Sequence, residues 1–464
     1  MPIQIRLILS KEDHPEVEEE VFCFDKAIGE DALIGLSLDD GKQILKQIQR
    51  AVVEQQAATY VQHHRDCPHC GKKQRIKGYH DSQYRTLFGI VTLQSPRFYR
   101  CDCDAGTFAT FSPLSQWLDG DHVSPELKYL ETKWASLMSY GMTADLLRDV
   151  LPVGESLNAA TVRNHLQAVA QRQEAALGEE QFAFVDGCPR DWGKLPQPEE
   201  PITVGIDGGY VRDWSKKKTN FEVIAGKSVP QDGEAKRFGF VQSYDTKPKR
   251  RLFELLMSQG MQMNQPVTFL SDGADSVREL QLYLNPQSAH YLDWFHITMR
   301  LTVLGQFAKG LVHADEALGN VVQEKLESTK WYLWHGNVYE ALLKIEDCEM
   351  DLECAENDYP NLGKFLKTLQ EFHTYIENNQ ALIPNYGERW RYGETISTAF
   401  VESTVNQVVA KRFVKKQQMQ WTKEGAHLLL QTRTAVLNGE LDKQFQTWYP
   451  NFRSNGGEAL KMAA

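Results

Sequence analysis

The chain has 464 residues, 42% hydrophobic and 24% charged, an ordinary globular composition long enough for about three domains with cores of their own. No run of about 18 apolar residues occurs, which excludes a membrane-spanning helix; residues 3–9 are too short and interrupted a run for a signal peptide, so an intracellular, cytoplasmic location is expected. Sixty-two acids against 51 bases give a formal net charge of −11, so any polyanion would have to be met by local basic clusters.

Residues 1–60 form an N-terminal region without a motif. Between 61 and 112 lie Cys67-Pro-His-Cys70 and Cys101-Asp-Cys103, with strand-like runs at 84–93 and 97–100 broken at Ser95-Pro96. A small antiparallel sheet that brought the two pairs together would present four thiolates to a structural Zn2+, a zinc ribbon. Disulfides are the weaker alternative, and His63, His64, His69 and His80 are bystanders or substitute ligands. Eight Lys/Arg between 65 and 100 face only two acids.

From 113 to 180 three helices with short turns are predicted, the last entered from Ser156. Its inward face is Ala159, Val162, Leu166 and Val169, leaving Thr161, Arg163 and Asn164 to point elsewhere. That is the layout of a helix-turn-helix whose final helix reads the major groove of DNA, although small helical bundles share it.

From 199 to 296 the pattern is β-β-β-α-β-α-β, the order of a ribonuclease-H-like core in a multidomain α/β chain. Asp207 ends the apolar run 202–206, and Asp272 ends the run 267–270; glycine follows each. A helical insertion spans 297–396. The catalytic-helix segment, 397–425, carries Glu402 within a helix read from 400 to 413, and 426–464 reads as a C-terminal tail. Asp207, Asp272 and Glu402 suit two Mg2+ (or Mn2+) ions, because phosphodiester chemistry needs an activated attacking oxygen and a stabilised leaving oxygen, and hard cations take carboxylates. The glycines would clear space for a phosphate backbone. Arg212 is a candidate phosphate contact, Asn406 shares the face of Glu402, and Lys411, Arg412, Lys415 and Lys416 extend a basic surface. The acids at 346–356 have no assigned role.

With these residues together, the chain resembles bacterial insertion-sequence transposases of the DDE class, most closely the ISKra family, over nearly its whole length. The resemblance rests on the cysteines, on Ile206-Asp-Gly-Gly-Tyr-Val-Arg212, on Leu270-Ser-Asp-Gly-Ala-Asp275, on the Glu402 helix, and on Asp293-Trp-Phe-His296, which matches a D-x-x-H motif of transposases with helical insertions. It implies double-stranded DNA partners (terminal inverted repeats and target), a homo-oligomer on DNA, and metal-dependent cleavage followed by strand transfer. Asp293 and His296 would then position the scissile phosphate or join the insertion to the sheet. The alternatives are a catalytically silent, domesticated DNA-binding regulator, or a structure-specific nuclease that cuts without joining.

Overall fold

The computed structural model describes residues 1–464 apart from 12–13, 29–33, 102, 104–109, 119, 186, 197–200, 217–218, 282–283, 357, 415–419 and 454–464. The chain divides into two compact units, Met1–Ala170 with Gly439–Ala464, and Gln171–Asn438. No helix among the described residues is long and apolar enough to cross a membrane.

The first unit opens with an antiparallel pair, β1 (Pro2–Lys11) and β2 (His14–Asp25). Helix α1 (Leu38–His63) starts at a reciprocal cap in which Asp40 N–H donates to Ser37 Oγ and Ser37 N–H donates to the Asp40 carboxylate. Its Val53 and Ala57 share a core with Val91 and Leu93. Those residues lie on β4 (Gly89–Tyr99), which pairs antiparallel with β3 (Ile76–Thr86) and, at Phe98 and Tyr99 only, with β5 (Thr110–Phe111). The expected single strand over 84–93 is in fact a hairpin: Thr86 Oγ1 donates to Gly89 O at 2.9 Å, and Gly89 takes φ +121°. The expected break at Ser95-Pro96 does not occur. The short β5 leaves one edge of β4 open there, where a residue without an N–H fits.

Short α2 (Pro113–Trp117) leads to α3 (Pro125–Leu137), α4 (Tyr140–Val150) and α5 (Ala159–Ala176). Ser124, Ser139 and Asn158 accept from N–H groups of the first turns of α3, α4 and α5. Val162, Leu166 and Val169 are buried on α5, joined by Ala170; Ala159, expected on that face, is exposed in the first helical position. The last helix among the described residues, Leu441–Trp448, packs on α3, where the Tyr129 hydroxyl donates to Asp442.

In the second unit, one-turn α6 (Pro189–Trp192) precedes a mixed five-stranded sheet. Strands β6 (Ile202–Arg212), β7 (Asn220–Val229) and β8 (Lys236–Val241) are antiparallel neighbours. After α7 (Pro248–Ser258), β9 (Val267–Ser271) runs parallel to β6; short α8 (Asp275–Arg278) follows, and β10 (Ser288–Leu292) runs parallel to β9. The spatial order is β10-β9-β6-β7-β8. Side chains alternate along a strand, so β6 serves two layers. Ile202, Val204 and Ile206 share a core with Leu252 and Leu256 of α7.

The insertion is α9 (Trp294–Val312), α10 (Glu316–Trp334), α11 (Val338–Glu353), α12 (Leu362–Asn378) and α13 (Tyr386–Arg391), around a core that includes Leu304, Val322, Ile345, Phe365 and Phe372. Acids of the 346–356 run pair across it: Glu349 with His373 at 3.1 Å and Asp351 with Lys325 at 2.5 Å. The chain then returns to the sheet. The expected helix over 400–413 is two pieces, α14 (Ala399–Val405) and a π-helix over Asn406–Val414. The expected tail is not a tail. Helix α15 (Lys423–Leu437) packs on β8 and is buried from Gly425 to Ala435. Its run of His427, Gln431, Thr432, Arg433 and Thr434 disguises a core helix as a surface one.

Candidate functional site: a carboxylate row and a four-cysteine cluster

Strand register explains why three acids line up. The parallel ladder between β6 and β9 ends at Gly205–Leu270, and that between β9 and β10 at Ser271–Leu292. One or two residues further along, Asp207, Asp272 and Asp293 stand level on three adjacent chains, with strands about 4.8 Å apart. Asp207 does not end its strand as expected; β6 continues beside β7 to Arg212. The pKa of Asp207 is raised: burial is the main cause, and the charges of Asp272 and Asp293 add to it against a Gly208 N–H bond and the opposing His296. A half-buried carboxylate beside two others is a site that favours a cation.

Glu402 is brought to the same face but not into direct contact. A Cβ on Gly205 would lie 2.1 Å from Val401 Cγ2, and one on Gly209 would lie 3.6 Å from Val405 and Val409. Helix α14 therefore lies across β6 on the side to which Asp207, midway between those glycines, also points. Glu402 follows Val401 and is exposed. The carboxylates of Asp207, Asp272 and Glu402 do not all lie within 4.8 Å of one another; two separate ions could share them without that convergence.

The glycine after Asp272 has a packing role: Gly273, at φ +84°, leaves room for Asn379, whose Oδ1 a Cβ would meet at 2.2 Å. The insertion supports the Asp272 loop directly. Tyr375 of α12 donates to Asp272 O at 3.0 Å, and Arg278 bridges Gly273 O and Asn378 O at 2.9 and 2.8 Å.

Asp293 is fully buried and accepts from Phe295 N–H and His296 Nδ1, both at 2.9 Å. Burial alone would lower the pKa of His296; the Asp293 bond and the charges of Asp207 and Asp272 outweigh it and raise the pKa. Two basic residues that the sequence did not single out lie nearby. Lys227, two places along β7 from the partner of Asp207, sits over the Phe400 ring at 5.8 Å, and exposed Arg300, one turn beyond His296, stacks on Tyr375 at 4.0 Å. Both were legible only as isolated cations.

Other expected contacts move. Arg212 lies five residues beyond Asp207, about 17 Å along β6 and on its opposite face. Arg412 is fully buried against Trp421, 5.1 Å from the ring, so it presents nothing to DNA: the π-helix turns that side inward. Lys411 is exposed, and Lys415 and Lys416 lie outside the described residues. Asn406 is half-buried as the C-cap of α14, its N–H donating to Glu402 O. On α5, Arg163 and Asn164 are exposed and bonded to each other, and Thr161 is half-buried beside the Asn158 cap.

In the first unit, Cys67, Cys70, Cys101 and Cys103 bring their sulfurs within 4.8 Å of one another, and no histidine of the described residues joins them. Cys67 to Cys103 and Cys70 to Cys101 are each 3.4 Å apart, too far for disulfides and close to the edge of a tetrahedron with bonds of about 2.3 Å. Gly71, at φ +68°, closes the knuckle by donating to Cys67 O. N–H groups of Cys70 and His69 aim at the Cys67 sulfur and bring its pKa down to about 6, while the bond to Cys67 pushes the Cys103 thiol up, so without a metal the pair shares one proton. The cluster could hold a metal ion.

A second group, Glu174, Asp245 and His427, had no sequence signal because its members are 71 and 182 residues apart. Arg251 lies among them, bonding Glu174 at 2.9 and 3.0 Å, Asp245 at 2.9 and 3.2 Å and Gln431 at 2.7 Å. The group could hold a metal only by displacing that guanidinium; as it stands, the arginine pairs with both carboxylates. No protein-family model matches this chain, and no curated protein matches it.

Proposed function

We propose that the chain is a DNA transposase of the DDE class, binding the ends of its element and carrying out metal-dependent strand cleavage and strand transfer. The observation that carries this reading is the register that sets Asp207 level with Asp272 while the Glu402 helix crosses β6 beside them. Supporting it, three antiparallel strands followed by two parallel ones, in the order β10-β9-β6-β7-β8, are what a ribonuclease-H-like core requires.

Asp207, Asp272 and Glu402 would hold two Mg2+ or Mn2+ ions; burial and the charges of Asp272 and Asp293 raise the pKa of Asp207, and a cation bound there would offset that shared negative charge. Bound there, the ions would activate an attacking oxygen and stabilise a leaving one. The protein does the rest by placement. Arg300 and Lys227 supply positive charge around the acid row for DNA phosphates. The exposed Arg163 and Asn164 on α5 would meet DNA in the major groove, and the four cysteines, holding Zn2+, would brace the hairpin within the basic 65–100 segment. The active species would be a homo-oligomer that pairs two DNA ends.

The test is a labelled duplex built from the DNA flanking the gene, incubated with wild type and Glu402→Gln in magnesium and resolved on a denaturing gel. Cleavage at a repeat boundary and joined product from wild type alone support the proposal. Cutting without joining would make the chain a nuclease, and binding without cutting a regulator.

A further inference from the structure

The residues flanking the insertion meet at one buried carboxylate. Besides Phe295 and His296, Asp293 accepts from the N–H of Thr398 at 3.0 Å and from its hydroxyl, across 105 residues of chain. Trp294 N–H donates to Ile396 O at 3.2 Å beside it. Two features make this more than a generic contact.

First, Thr398 is the N-cap of α14, yet its side chain caps nothing in its own helix. A threonine there ordinarily accepts from N–H groups of the first turn. This one, 1% exposed and with φ −92°, ψ 26°, turns its hydroxyl to Asp293 instead. Second, an ionised carboxylate offers about four acceptor directions, and Asp293 receives four bonds: Phe295 N–H, His296 Nδ1–H, Thr398 N–H and Thr398 O–H. Although Asp293 stands in the row with Asp207 and Asp272, it has no lone pair left for a cation.

We infer that Asp293 and Thr398 form a latch that positions the Glu402 helix against the acid row, Asp293 acting as a positioning residue and not as a metal ligand. Helix α14 has only seven residues and follows a long excursion, so its start must be fixed from outside. The latch sets the start of α14, and Glu402 lies four residues after Thr398, one turn along. It also gives the insertion a catalytic consequence: its two ends are tied where the third carboxylate is placed. That consequence rests on the transposase reading; the mechanical claim does not.

Thr398→Val removes the donor and keeps the shape, and Thr398→Ser keeps the donor. Hydrogen exchange of the α14 amides, read by mass spectrometry on the full chain, should quicken about ten-fold or more in Thr398→Val and stay near wild type in Thr398→Ser. In the cleavage assay, Thr398→Val should lose a similar factor in kcat with KM for DNA unchanged, and Thr398→Ser should recover it. A merely structural role would lower the melting temperature of the whole unit without that split or that rescue. Unchanged α14 exchange in Thr398→Val overturns the latch, as does equal loss in both variants. If wild type cuts no DNA, the transposase reading fails while the exchange comparison still decides the latch.

Discussion

Replacing Asp207 by asparagine should stabilise the metal-free protein while abolishing cleavage. Asp207 is level with Asp272 across the parallel β6–β9 ladder, and burial together with the charges of Asp272 and Asp293 raises its pKa. At the roughly 5 Å spacing of adjacent strands and an effective dielectric constant of about 20, one like-charged pair costs about 3 kcal/mol. His296 offsets part of this, so Asp207→Asn should gain about 1–3 kcal/mol. For a unit of this size that corresponds to a melting temperature higher by about 2–5 °C. The assay is thermal unfolding of both proteins with EDTA and with saturating MgCl2. Magnesium should raise the wild-type melting temperature, by about 2.7 kcal/mol of linkage at one hundred times its Kd, and should leave Asp207→Asn nearly unmoved. If Asp207→Asn melts at or below wild type in EDTA, or if magnesium raises both equally, the acid row is not a cation site.

Three further outcomes follow from particular contacts. Gly205→Ala would place a methyl 2.1 Å from Val401 Cγ2; it should cost about 1–3 kcal/mol and push α14 off β6, with melting and DNA cleavage both falling. A strong chelator that strips the zinc proposed for the four cysteines should unfold the β3–β4 hairpin and leave the melting of the 171–438 unit in place, with elemental analysis giving about one zinc per chain before treatment. Burial would raise the pKa of Glu174, but bonds with His427 and Arg251 outweigh it and hold it at about 2, below the ordinary 4.5. Its contribution is therefore present above pH 4.5 and lost as pH falls toward 2. Glu174→Gln should lie about 2 kcal/mol below wild type near neutrality, allowing for residual solvent exposure, and melting curves taken down the pH scale should converge through that window. A gap that persists at the acid end would show that the Arg251 pairing does not hold Glu174 in its charged form.

What the sequence determined by itself was whatever depends on short-range pattern. Apolar runs located the strands of the second unit, apart from the extension of β6 to Arg212, helical spacing located the insertion, and the two cysteine pairs announced a four-thiol cluster before any fold was known. Asp207 and Asp272 were legible because they follow apolar strand runs, where an acid is out of place unless it has a task. Tertiary structure decided everything that depends on which face meets what. A basic run looks solvated in one dimension, yet Arg412 is buried because a π-helix changes the angular step between residues. Arg212 is near Asp207 in sequence but on the other side of the sheet, since strand residues five apart point oppositely. Helix α15 was hidden because its longest buried polar side chains find partners on other elements: Gln431 reaches Gly239 O, and Arg433 reaches Val408 O. Glu174, Asp245, Arg251 and His427, like Asp293 and Thr398, are joined by long-range hydrogen bonds, and nothing in local propensity records a partner 105 residues away. Periodicity reports how a segment repeats along its own axis; only packing reports what that repeat is turned toward.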